Sequence, residues 1–201
     1  MGITVHPKAK GLIFDMDGTL SDSLPVHLET WNKIGEKYGF EFDPQIINEL
    51  TGRPTIEFAN HVIKKYNVNE APEVLVKIKQ ESFWELAHLL QPVEEVVSIV
   101  KEKFGKMPMS VGTGASRASA KVQLKELNLT EYFDIIVSAN DVTKHKPEPE
   151  TFLECARLMG VEPQHCQVFE DGDLGIAAAE KAGMMVTDVR PHINYGEWEL
   201  S

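Results

Sequence analysis

Apolar positions change their period along this chain, and the changes mark its elements. Gly11-Leu12-Ile13-Phe14 is a continuous apolar run that stops at acids and Gly18, the pattern of a short strand buried on both faces. From residue 25 the period lengthens. Trp31, Ile34 and Tyr38 share one helical stripe, and Gly39 ends it. Between 44 and 90 every period is helical. Pro44 and Pro54 stand near helix starts, and Phe83, Leu86 and Leu90 repeat at spacings of three and four. Gln91-Pro92 reads as a linker. Val93, Val96, Val97 and Val100 open another helix. Beyond it the pattern alternates: strand 107–112, helix 116–127, strand 134–138, helix 149–160, strand 166–170, helix 173–182 and strand 184–189.

Strict alternation predicts an α/β fold, a Rossmann-like parallel sheet with helices on both faces. The expected layout is an α/β core of residues 1–21 and 92–201, with a small helical insert at 22–91 after the first strand. In such sheets ligands bind beyond the carboxyl ends of the strands. The residues just after each strand are therefore the candidates for chemistry.

Composition narrows the partners. The 201 residues carry a net charge of -11, which repels nucleic acid and anionic membranes. An acidic chain that binds phosphate must neutralise it locally, with a cation or a few aimed Lys or Arg. Cys155 and Cys166 are the two cysteines; they form no CxxC pair and read as free thiols of a reducing compartment. No apolar run approaches the ~18 residues of a membrane span. The start MGITVHPKAK has no signal-peptide core, and His6 stands where a myristoylation signal needs Ser or Thr. The expectation is a cytoplasmic protein.

Four clusters follow strands: Asp15-Met16-Asp17-Gly18-Thr19-Leu20, Thr113-Gly114-Ala115-Ser116, Lys146-Pro147 and Glu170-Asp171-Gly172-Asp173. Each alone is an ordinary turn, helix cap or solvated loop. Together they bring two acid groups, a hydroxyl with backbone N–H groups, and a lysine to one end of a sheet. That is a metal site beside an anion site, and oxygen-only ligands suit Mg²⁺.

These four motifs, in this order, resemble the haloacid dehalogenase superfamily of phosphotransferases. The resemblance spans nearly the whole chain, and the helical insert is similar to that family's small α-helical cap. It implies that Asp15 is the nucleophile forming an aspartyl-phosphate, since a carboxylate needs no activating base. It implies that Asp17 is the general acid/base, protonated at the first step. Mg²⁺ would be held by Asp15, the backbone carbonyl of Asp17 and Asp171, with Glu170 nearby or acting through water. Thr113, Lys146 and the N–H groups of Gly114 and Ala115 would hold phosphate oxygens.

Several segments further resemble bacterial fructose 1-phosphate and 6-phosphogluconate phosphatases of the β-phosphoglucomutase-like branch. The substrate implied is a small phosphorylated sugar, and the protein a monomer. Phosphatase and mutase share these motifs, so both readings stay open, with phosphatase favoured. Three insert residues bear on the choice. His27 has the spacing of a mutase His that supports the substrate and the acid/base. Arg53 follows Gly52 directly, a register unlike the mutase cap loop that binds a second phosphate. Lys79 begins a stretch similar to one that contacts substrate. Trp31 reads as packing and His145 as a loop residue. A receiver-type switch combines similar residues, but its acid pair comes first and it has no insert. A dead scaffold would lack Asp15 or Asp17. The tail 191–201, with Trp198, has no assigned role.

Overall fold

The computed structural model describes residues 2–50 and 53–193. Strand β1 (Gly11–Phe14) leads into a two-residue strand, β2 (Ser21–Asp22). Four helices follow: α1 (Leu24–Tyr38), α2 (Gln45–Leu50), α3 (Thr55–Tyr66) and α4 (Pro72–Leu86). The chain returns through β3 (Gln91–Pro92) to α5 (Glu94–Lys103). It then alternates through β4 (Met109–Gly112), α6 (Arg117–Glu126), β5 (Ile135–Val137), α7 (Glu150–Met159), β6 (Cys166–Glu170), α8 (Asp173–Lys181) and β7 (Met185–Asp188). Five strands form a parallel sheet in the order β5-β4-β1-β6-β7, the predicted α/β architecture.

All four β1 residues are buried, because β1 is central and both sheet faces are covered. Its side chains alternate between two cores. Leu12 and Phe14 pack with Phe169, with Val96, Val97 and Val100 of α5, and with Ala120 and Leu124 of α6. Ile13 packs with Val168, with Phe152, Cys155 and Ala156 of α7, and with Ala178 and Ala179 of α8. Each fully buried aliphatic or aromatic side chain contributes about 1.5–3 kcal/mol. Phe14 and Phe169 stack across the paired strands at 4.8 Å. Both cysteines are buried free thiols.

The helices between β2 and β3 have a core of their own, with Trp31, Ile34, Phe42, Ile46, Val62 and Leu75. Trp31 stacks on Phe42 at 5.6 Å and Phe58 at 6.0 Å, so it packs as expected. The C-terminal end of α4 differs: Phe83 and Ala87 join the sheet-side core instead.

The structure refines several boundaries. Gln91-Pro92 is not a free linker; it pairs antiparallel with Ser21–Asp22, so the outgoing and returning chains satisfy each other's backbone. Lys79 lies in the middle of α4. Leu90 lies beyond the end of α4, yet its side chain is buried. The strand expected at 107–112 starts at Met109. No described helix is long and apolar enough to cross a membrane. Residues 194–201, including Trp198, lie outside the described residues, as do Thr51 and Gly52.

Candidate active site

Asp15 is the first residue beyond β1, Thr113 the first beyond β4, and Glu170 the last of β6. Because β1 lies between β4 and β6, all three open onto one crevice at the carboxyl edge of the sheet. Lys146 enters from the loop between β5 and α7. It is not a solvated basic turn: its side chain is 1% exposed. Its Nζ donates to Asp15 Oδ1 at 2.6 Å and to Glu170 Oε1 at 2.7 Å. The Gly172 N–H donates to Glu170 Oε2 at 2.6 Å, and the buried Thr19 hydroxyl donates to Asp171 Oδ1 at 3.0 Å.

Two glycines make this approach possible. A Cβ on Gly18 would collide with the Asp171 carboxylate, and one on Gly175 with that of Glu170. Gly18 also has φ +82°, where other residues are strained.

Asp15, Glu170 and Asp171 bring carboxylate oxygens within 4.8 Å of one another. One ammonium faces three acids. Burial pushes the Asp15 carboxyl up to about 7; Lys146 opposes that rise and Glu170 adds to it. Burial, then the charges of Glu170 and Asp15, push Asp171 well above the carboxylate range. Burial alone would lower Lys146, but its two carboxylates outweigh it and raise the ammonium. An all-oxygen donor set, two of its three carboxylates buried, with surplus negative charge fits a small hard divalent cation such as Mg²⁺.

The Asp17 carboxyl stands apart from this cluster. Its Oδ1 accepts from Ser23 Oγ at 2.7 Å, His27 Nε2 at 2.8 Å and Gln123 Nε2 at 2.9 Å. Burial works to raise this carboxyl, but His27, Ser23 and Lys79 outweigh it and hold Asp17 well below the usual range. These partners favour the ionised form of Asp17, whereas the expected first step uses the protonated acid.

Lys79 Nζ lies 2.9 Å from His27 Nδ1. An ammonium only donates, so His27 carries its hydrogen on Nε2 and donates to Asp17. Burial, then Lys79, lower the His27 pKa, in keeping with a neutral ring. The ring stacks on Phe83 at 4.9 Å, and Lys79 sits over the same Phe83 at 4.7 Å. Burial lowers Lys79 to about 8.

The other expected residues also reach the crevice. Arg53 lines it, pairs with Glu57 at 2.6 Å, and has a buried Nε without a partner among the described residues. Gly114, Ala115 and Ser116 line it too. The Ala115 N–H, expected to hold a phosphate oxygen, donates to Thr113 Oγ1 at 3.0 Å, an acceptor two residues before it. Ser116 caps α6 by accepting from the Ser119 N–H. His145 is a loop residue whose carbonyl accepts from Glu148.

Sequence reasoning missed Ser23, Gln123, Glu57 and Phe83 as site residues. Ser23 has the pattern of a helix cap, yet its hydroxyl serves Asp17 and makes no cap bond. Gln123 had a signal: it is a polar residue in the buried stripe of α6, beside Ala120 and Leu124. Glu57, four residues after Arg53 on α3, had the i,i+4 spacing of a helix ion pair.

A family model described as haloacid dehalogenase-like hydrolase matches residues 12–189. The chain is 43% identical over 188 residues to fructose-1-phosphate phosphatase YqaB of Escherichia coli, covering 92% of this chain and 99% of that one. It is 30% identical to a phosphorylated carbohydrates phosphatase of Thermotoga maritima, covering 87% of this chain and 82% of that one. Among solved structures, a β-phosphoglucomutase of Clostridium difficile superposes with a TM-score of 0.77 at 26% identity, covering 89% of this chain and 83% of the other. With its sheet, its four motifs and these relatives, the chain belongs to the haloacid dehalogenase-like hydrolase family.

Proposed function

We propose that this chain is a Mg²⁺-dependent phosphatase of small sugar phosphates, of the fructose 1-phosphate or 6-phosphogluconate type. The observation that carries the reading is Asp15, buried and held by Lys146 at the base of a crevice that Asp17 also lines. Asp15 attacks phosphorus; the new Asp15–phosphorus bond forms as the bond from phosphorus to the sugar oxygen breaks. Asp17, which must take up a proton as substrate binds, gives it to that oxygen, then takes one from the water that hydrolyses the aspartyl-phosphate. Thr113, Gly114, Ala115 and Lys146 bind phosphate oxygens, with the Ala115 N–H exchanging Thr113 for the anion.

Asp15, the Asp17 carbonyl and Asp171 would hold Mg²⁺, with Glu170 nearby. When bound, the cation offsets charge between phosphate and carboxylates and stabilises the transferring oxygens. The helices of residues 22–91 act as the cap over the core, and His27, Lys79 and Arg53 meet the sugar. Arg53 is paired with Glu57, which makes it a weak anchor for a second phosphate and favours phosphatase over mutase.

The test is phosphate release with Mg²⁺ and with EDTA from fructose 1-phosphate, 6-phosphogluconate, glucose 6-phosphate and β-glucose 1-phosphate. Metal-dependent release with one preferred sugar is expected. Conversion of β-glucose 1-phosphate to glucose 6-phosphate without release would make the chain a mutase.

A further inference from the structure

Three donors meet on Asp17 Oδ1, and they come from different parts of the molecule. Ser23 follows the neck strand β2, and His27 is on α1 of the helical insert. Gln123 is on α6, which packs on the sheet, so it is the donor that belongs to the core. Its amide is fully buried, and the Oε1 end has no partner among the described residues. That is a costly arrangement, because an unpaired buried acceptor loses its hydration with nothing in return. A leucine would sit in the same apolar stripe, beside Ala120 and Leu124, without that cost. What the amide gains for that cost is its bond to Asp17.

We propose that Gln123 is a positioning residue for the acid/base. The terminal torsion of an aspartate is broad and nearly two-fold, so packing alone does not fix which oxygen faces the substrate. With Oδ1 filled by three donors, Oδ2 is the oxygen that carries and delivers the proton. Ser23 and His27 hold this orientation while the helical insert is in place. Gln123 holds it from the core, whatever the position of the insert. The inference rests on the reading of Asp17 as the acid that protonates the leaving oxygen.

The test uses leaving groups of different need. A sugar alkoxide must be protonated as it leaves, and p-nitrophenolate need not be. Q123L and Q123M are compared with wild type and D17N, with Mg²⁺ present. Fructose 1-phosphate turnover is measured beside the first-turnover release of nitrophenolate from p-nitrophenyl phosphate. The expected result for both Gln123 variants is a melting temperature equal to or above wild type. Sugar-phosphate kcat falls about tenfold or more with little change in KM, and nitrophenolate release stays within about twofold.

A lowered melting temperature in both variants would make the amide structural and overturn the inference. So would equal losses on both substrates, or no loss on either. D17N separates this from the underlying reading. If D17N spares nitrophenolate release and the Gln123 variants leave both rates at wild type, Gln123 is the part that is wrong. If D17N slows both substrates equally, the acid role of Asp17 itself fails.

Discussion

At the base of the crevice, Lys146 is sealed between Asp15 and Glu170, and those three side chains are 1%, 8% and 2% exposed. Around Asp17 the groups are looser: the side chains of His27 and Asp17 are 18% and 22% exposed. The first set sits on strand ends and the loop feeding α7, fixed by the sheet. The second joins a loop of the core to helices of the insert, α1 and α4, which return to the sheet through two short strands. In the proposed mechanism the difference would divide the work. Sealed charges suit the step that needs fixed geometry and a desolvated nucleophile. Contacts between a core acid and helix-borne bases can be made and broken as a substrate enters and leaves.

The comparison can be broken at several points. The largest effect is expected from D15N, which should lower phosphate release by about 10⁴-fold or more. Its melting temperature should not fall, because the substitution removes one of three crowded acids. Appreciable turnover in this variant would remove Asp15 as nucleophile.

Next is K146M, which leaves two buried carboxylates without their ammonium. Breaking a buried pair in this way costs about 3–5 kcal/mol, so thermal unfolding should shift down clearly. An unchanged melting curve would mean that the buried charges are not balanced as described.

On the other side of the crevice, Lys79 titrates at about 8 because burial disfavours its charge. The charge is present below that pH and lost above it. Activity should therefore decline as pH rises through about 8. K79R, which keeps its charge, should carry the decline to higher pH; an identical profile would separate Lys79 from catalysis. The smallest effect belongs to R53A. Arg53 is half tied to Glu57, so KM should rise about three- to tenfold with kcat nearly unchanged. A rise of several hundredfold for a sugar bisphosphate would instead mark Arg53 as a second phosphate site.

The same division explains what the sequence reveals. Asp15, Asp17, Thr113, Glu170 and Asp171 stand in short contiguous motifs at strand ends, and Lys146 in the loop between β5 and α7, where α/β topology brings chain-distant segments together. The sheet was legible for the same reason, since buried parallel strands leave unbroken apolar runs such as Leu12–Phe14. Groups on helices are harder to read, because each is one position on a face whose neighbours depend on packing. His27 and Lys79 touch although they are 52 positions apart. Ser23 heads α1 yet serves an acid. Gln123 is 106 positions from Asp17, and only the packing of α6 brings the two together.

The central claim is that the phosphoryl group passes through Asp15. The most direct measurement is to mix D17N, slowed in hydrolysing the intermediate, with Mg²⁺ and labelled p-nitrophenyl phosphate, whose leaving group needs no acid, quench in acid, and map the label by peptide mass spectrometry. The account predicts one phosphoryl group on the peptide carrying Asp15, absent when Asp15 is also changed to Asn. Label on another residue, or product formed at the wild-type rate with no labelled protein at any time, would contradict it.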